Sequence, residues 1–190
     1  IAGNATTTAG GTDRSVTYDT VAPTVTISVG MSGSTTSTSA SFTFTASEAG
    51  STFECNLDSA GWTACTSPKA YSGLADGSHT MQIRATDTAG NVGTAASQTW
   101  TVDTTPPTLT VSTIAPYVNT TSATFTVSFG ADTTTYSCTL DAKSQASNKC
   151  TGTNTFSGLL AGSHSYAVTV ADALGNTQTV SRTWTVDTTA

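Results

Sequence analysis

The chain has 190 residues, a formal charge of −6 and only 9% Asp, Glu, Lys and Arg, against about 25% in an average soluble domain. No apolar run approaches the roughly 18–20 residues that a membrane-spanning helix needs. The six scattered basic residues leave no electrostatic footprint for nucleic acid or an anionic membrane. Hydroxyls take the place of ions, with 45 Thr and 24 Ser. Both residue types are poor in helices, and Thr favours strands. An all-β chain is expected, with a packed core drawn from its 36% hydrophobic residues.

The elements follow a repeat. Residues 15–19, Ser-Val-Thr-Tyr-Asp, return as Thr-Trp-Thr-Val-Asp at 99–103 and again at 183–187, so that Asp19, Asp103 and Asp187 stand 84 residues apart. Residues 1–19 read as the C-terminal hairpin of a preceding, truncated copy. Full copies are expected over 20–103 and 104–187, and residues 188–190 begin a further linker. In the first copy the alternation predicts strands at 24–28, 39–46, 51–57, 62–65, 68–71, 79–86 and 97–102. Phe42 and Phe44 share an inward row, as do Phe53, Cys55 and Leu57, then Met81, Ile83 and Ala85, then Trp100 and Val102. Phe125 and Val127, Tyr136, Cys138 and Leu140, and Tyr166, Val168 and Val170 repeat the pattern. About seven short strands per copy predict tandem two-sheet sandwiches of the Ig-like kind.

The Asp-Thr-x-x-Pro-Thr linkers at 19–24 and 103–108 carry a resemblance, as do Phe-Glu-Cys-Asn-Leu-Asp at 53–58 and Tyr-Ser-Cys-Thr-Leu-Asp at 136–141. Gly-Ser-His at 77–79 and 162–164 and the Asp-x-x-x-Asn turns at 87–91 and 172–176 add to it. Over essentially its whole length the chain resembles the bacterial Ig-like repeats strung through large secreted and cell-surface proteins, many of them adhesins. The resemblance implies spacer and adhesive-stalk modules and leaves the individual role open.

Cys55 and Cys65, like Cys138 and Cys150, occupy equivalent places in the two copies, so pairing within each copy is the economical choice of the three connectivities. Disulfides imply an oxidising compartment. The spacings, without a nearby His pair, argue against zinc.

In an up-and-down sandwich the linker before a domain and its last turn lie at one pole. Asp103 is therefore expected near Asp172 and Asn176, with Asp132 beside them. Asp19 is likewise expected near Asp87 and Asn91, with Glu48 as a further oxygen donor. Such oxygen-rich groups suit Ca²⁺, and the resemblance implies calcium-stiffened linkers in some relatives. The competing reading is turn chemistry, in which Asp and Asn bond their own backbone.

His79 and His164 hold one repeat position with no accompanying nucleophile, which favours a structural role; no catalytic residue is expected and the chain is not read as an enzyme. Trp100 and Trp184 are assigned to the core. Trp62 lies in the hairpin closed by Cys55 and Cys65, where the second copy is polar. It is expected to pack on that disulfide, with ligand stacking as the alternative. Tyr117 is a weaker candidate of the same sort. Lys69, Lys143 and Lys149 fall outside the first strands, so the isopeptide bonds of some relatives are not expected.

The functional expectation is a structural and adhesive module of an extended, extracellular bacterial surface protein, with no required cofactor apart from the calcium reading. Its partners would be adjacent repeats of the same chain and a glycan or protein on a host or prey cell. The alternatives are a direct glycan- or protein-binding module and an accessory spacer of a secreted enzyme.

Overall fold

A computed structural model describes residues 5–6 and 17–189. It divides into two compact units, Ile1–Asp103 and Thr104–Ala190. Of the hairpin expected over 1–19, β1 (Ala5–Thr6) pairs antiparallel with β2 (Thr17–Tyr18). Residues 1–4 and 7–16 lie outside the described residues.

The first unit continues with β3 (Val25–Val29), β4 (Gly33–Thr35), β5 (Ala40–Ala46), β6 (Thr52–Leu57), β7 (Thr63–Cys65), β8 (Lys69–Tyr71), β9 (Gly77–Thr86) and β10 (Ala96–Val102). A five-stranded sheet β4-β10-β9-β6-β7 faces a three-stranded sheet β3-β5-β8. The alternating pattern explains the core, because successive side chains point to opposite faces. Phe42, Phe44, Met81, Ile83, Trp100 and Val102 are all at most 3% exposed. Between them Ser, Thr, Gln and Arg face outward.

The second unit contains β11 (Leu109–Val111), β12 (Tyr117–Val118), β13 (Ser122–Phe129), β14 (Thr135–Leu140) and β15 (Lys143–Ser144). After a 3₁₀ turn at Ser147–Lys149 come β16 (Gly152–Ser157), β17 (Gly162–Ala171) and β18 (Thr177–Val186). The sheets repeat as β12-β18-β17-β14-β15 and β11-β13-β16. Phe125 and Tyr166, both fully buried, stack at 4.8 Å.

Two features differ from the sequence reading. The first strand of each copy is split: β3 pairs antiparallel with β5, while β4 runs parallel to β10. β11 and β12 repeat the split against β13 and β18. Gly33-Ser34-Thr35 has no apolar alternation to announce a strand, and its partner is fixed only by the fold. Tyr136, expected to face inward, is 40% exposed. It lies near the start of β14, with its ring 5.0 Å from that of Phe129.

Candidate functional site

The chemistry-bearing residues fall into three groups, each placed by a turn or a strand pairing. The first is the acidic pole of the first unit. Asp87 closes the turn between β9 and β10: its Oδ1 accepts N–H bonds from Ala89 and Asn91 at 2.8 and 2.9 Å. Asn91 Nδ2 donates to Asp87 Oδ2 at 2.8 Å and to the Asp19 carbonyl at 3.0 Å. Gly93 lets the chain come close here, since a Cβ would run into the Pro23 carbonyl. Carboxylate oxygens of Asp19, Glu48 and Asp87 thus lie within 4.8 Å of one another. Among the described residues no lysine or arginine forms an ion pair with any of the three.

Turn chemistry accounts for part of this. The Asn91 amide, then the backbone N–H groups, hold the Asp87 carboxyl below its ordinary range against the opposing effect of burial. Asn91 also departs from the ligand role expected of it. Its amide nitrogen, not its oxygen, faces Asp87 and Asp19, because the reverse orientation would set three acceptors against each other. What remains is an all-oxygen donor set of three carboxylates, a chemistry that fits Ca²⁺ if water completes its six to eight ligands. The second unit repeats the turn, with Asp172 Oδ1 accepting from Leu174 and Asn176 N–H and Asp172 Oδ2 from Asn176 Nδ2. Asp103 falls in the first unit, so its grouping with Asp172 and Asn176 is not a site of either unit.

The second group is a histidine held at both ring nitrogens. Asp58 and Ser59 both take positive φ, 51° and 61°, the geometry of a two-residue hairpin turn that Asp tolerates better than most. That turn aims the Asp58 carboxylate at β9. Oδ1 accepts the Thr80 N–H at 2.7 Å, and Oδ2 lies 2.7 Å from His79 Nδ1. His79 Nε2 lies 2.9 Å from the Ala75 carbonyl. Carboxylate and carbonyl can only accept, so both nitrogens donate and the ring is held as imidazolium. Its face lies 5.4 Å from the Trp100 ring. Asp141, Ser165, His164, Leu160 and Trp184 repeat every contact, at 2.7 Å for Nδ1 and 2.8 Å for Nε2.

The Asp58 hydrogen bond, then the Ala75 carbonyl, raise the pKa of His79; the Leu160 carbonyl, then Asp141, raise that of His164. Burial pushes Asp58 and Asp141 upward, but the histidine and backbone N–H bonds outweigh it and hold both below the ordinary carboxylate range. The structural role expected of the histidines therefore has a specific form. Sequence inspection missed the aspartates, although Asp58 and Asp141 each end the repeated Cys-x-Leu-Asp segment.

The third group surrounds Trp62. Its ring lies over the Arg84 guanidinium, with the Arg84 carbon 4.3 Å from the ring centroid. Register puts Arg84 opposite Glu54 on the outward face, which brings it to Trp62, a partner that the sequence reading did not name. The disulfides themselves join Cys55 to Cys65 and Cys138 to Cys150, with Cα atoms 5.8 and 5.3 Å apart.

Residues 4–104 match the family model of the bacterial Ig-like domain. The chain belongs to that family. Among curated proteins none matches the sequence. The solved structures similar to this bacterial Ig-like chain include a Ca²⁺-stabilized adhesin with which an Antarctic bacterium reaches out and binds ice (19% identity, 91% of this chain and 52% of that one, TM-score 0.44). The fibronectin(III)-like modules of Clostridium thermocellum CbhA are also similar (15% identity, 86% and 94%, TM-score 0.38). A third is SGBP-B of the Bacteroides ovatus mixed-linkage glucan utilization locus, in complex with a mixed-linkage heptasaccharide (14% identity, 88% and 48%, TM-score 0.34). The chain spans about half of the first and third structures. Likenesses of this depth do not reach function.

Proposed function

We propose that this bacterial Ig-like chain is a load-bearing spacer and adhesive-stalk segment of an extracellular bacterial surface protein. One observation carries the reading: the same braces recur in both units at matched positions. Each unit has a disulfide beside its hairpin, an Asp–His pair locking that hairpin to the next strand, and an Asp–Asn clamp in its last turn. Polar groups that elsewhere could serve chemistry are here committed to tying neighbouring strands together. Pro107, like Pro23, fixes its own φ and restrains its predecessor, which stiffens the entry to each copy. The disulfides support an oxidising, extracellular location.

The acidic pole extends the reading. We infer that Asp19, Glu48 and Asp87 take Ca²⁺, which would tie the incoming linker to the last turn of the first unit. Small-angle scattering tests the spacer reading: an elongated particle is expected, and a compact globule overturns it.

A further inference from the structure

The two units repeat each other's braces but not one face. On the outside of the first unit's five-stranded sheet, Glu54 pairs with Arg84 and Asn56 with Gln82 across β6 and β9. Trp62 shares that face, two residues before Ala64, which lies opposite Glu54. The matching cross-strand pairs of the second unit are Ser137 with Thr169 and Thr139 with Ala167. An aromatic ring, an ion pair and two amides therefore stand where the other copy carries only hydroxyls and a methyl group. Strand alternation puts these side chains on the face away from the core, where Asn56 is 8% exposed and the others are partly exposed.

The face is held in place. Arg84 Nε and Nη2 both reach Glu54 Oε2, at 2.8 Å each, and the guanidinium so fixed supports the indole. Asn56 Oδ1 accepts the Gly61 N–H at 3.0 Å, and its Nδ2 donates to Gln82 Oε1 at 3.3 Å. Among the described residues Glu54 Oε1, Gln82 Nε2 and Arg84 Nη1 take no further hydrogen bond, and none of the three is a buried unsatisfied atom. Side chains already ordered lose little freedom on binding.

The chemistry selects the occupant. Arg84 and Glu54 neutralise each other, so this face offers a charged ligand no unpaired opposite charge. What is offered is a flat apolar ring on the same sheet face as hydrogen-bond donors and an acceptor. A pyranose presents the complementary surface, with a C–H face for stacking on the indole and a hydroxyl edge. We propose that this face of the first unit binds a neutral polysaccharide, one sugar ring lying on Trp62 with its hydroxyls bonded to Gln82 Nε2 and Glu54 Oε1.

Affinity electrophoresis of the whole chain through gels containing β-glucan, galactomannan or dextran, with alginate as the charged control, tests it. Retardation by at least one neutral polymer is expected. Trp62→Ala should weaken it about tenfold, as loss of a stacked Trp anchor does. Gln82→Ala should weaken it less, and Thr169→Ala, at the position matching Arg84, should not change it. Unaltered melting of the Gln82 variant keeps the result independent of Trp62's contribution to folding. Failure of all three neutral polymers to retard the chain overturns the proposal. So does retardation by alginate alone, or retardation equal in wild type and both first-unit variants. A protein ligand would give the first of these outcomes. The scattering test of the spacer reading is unaffected by any of them.

Discussion

At the residue scale the most informative groups are His79 and His164. Each faces an aspartate, a backbone carbonyl and an indole. In the second pair Lys143 lowers Asp141 further. The folded-state pKa of each histidine is raised above its ordinary 6.5. Its contribution to stability is therefore complete below that value and is lost as pH rises through the folded pKa. Asp58 and Asp141 are lowered from 3.8, so theirs is complete above that value and is lost as pH falls through the folded pKa. Both contributions are in full force between pH 3.8 and 6.5. Melting followed against pH should show stability falling on the alkaline side of this window, before lysine and tyrosine titrate. His79→Gln and His164→Gln should cost about 0.5–1.5 kcal/mol inside the window, the net worth of a hydrogen bond whose aspartate partner is partly exposed to water, and less above it. A stability flat from pH 6 to 9 in wild type would remove the imidazolium from the account.

At the scale of elements, the hairpin of β6 and β7 shows how local chemistry and packing divide the work. β7 is a three-residue edge strand, too short to hold its register by pairing alone. The turn at Asp58 and Ser59 sets the reversal, and Cys55–Cys65 fixes the edge, closing a loop of sequence separation 10. In the second unit the separation is 12 and the returning chain passes through a 3₁₀ turn, so the disulfide bridges a less regular segment. In the chain-entropy view each bridge stabilises its unit by about 2–3 kcal/mol. Calorimetry of Cys55→Ala/Cys65→Ala should show the first unit's transition lowered on the order of 10 °C. The second unit's transition should stay in place. A coupled drop of both would show that the units do not melt independently.

At the scale of the whole molecule the proposed role is mechanical, and its sensitive points are the joints. Asp19, Glu48 and Asp87 come from the entering linker and from the turns after β5 and β9, so a cation bound there would couple segments far apart in sequence. Millimolar calcium should raise the melting temperature of the first unit relative to chelator, and Glu48→Gln should abolish the difference. Equal melting in both conditions retires the calcium proposal and leaves the Asp87–Asn91 clamp as ordinary turn chemistry.

The sequence by itself determined the class of fold, most of the longer strands and, Tyr136 apart, their inward rows, because period-two alternation is a direct consequence of the pleat. Alternation alone assigns Phe42, Phe44, Met81, Ile83 and Trp100 to the core, where all five are buried. The disulfide partners were legible too, since equivalent cysteines recur in each copy. Tertiary structure alone decided the rest. It split the first strand of each copy between two sheets, since β4 and β12 gain a partner only once β10 and β18 are in place. It turned Asn91 into a donor rather than an oxygen ligand, and set Arg84 beneath Trp62 by cross-strand register. It also brought Asp58 to His79 from 21 residues away. Hydrophobic alternation is local and can be read along the chain, whereas the partner of a polar atom depends on which strands fold side by side.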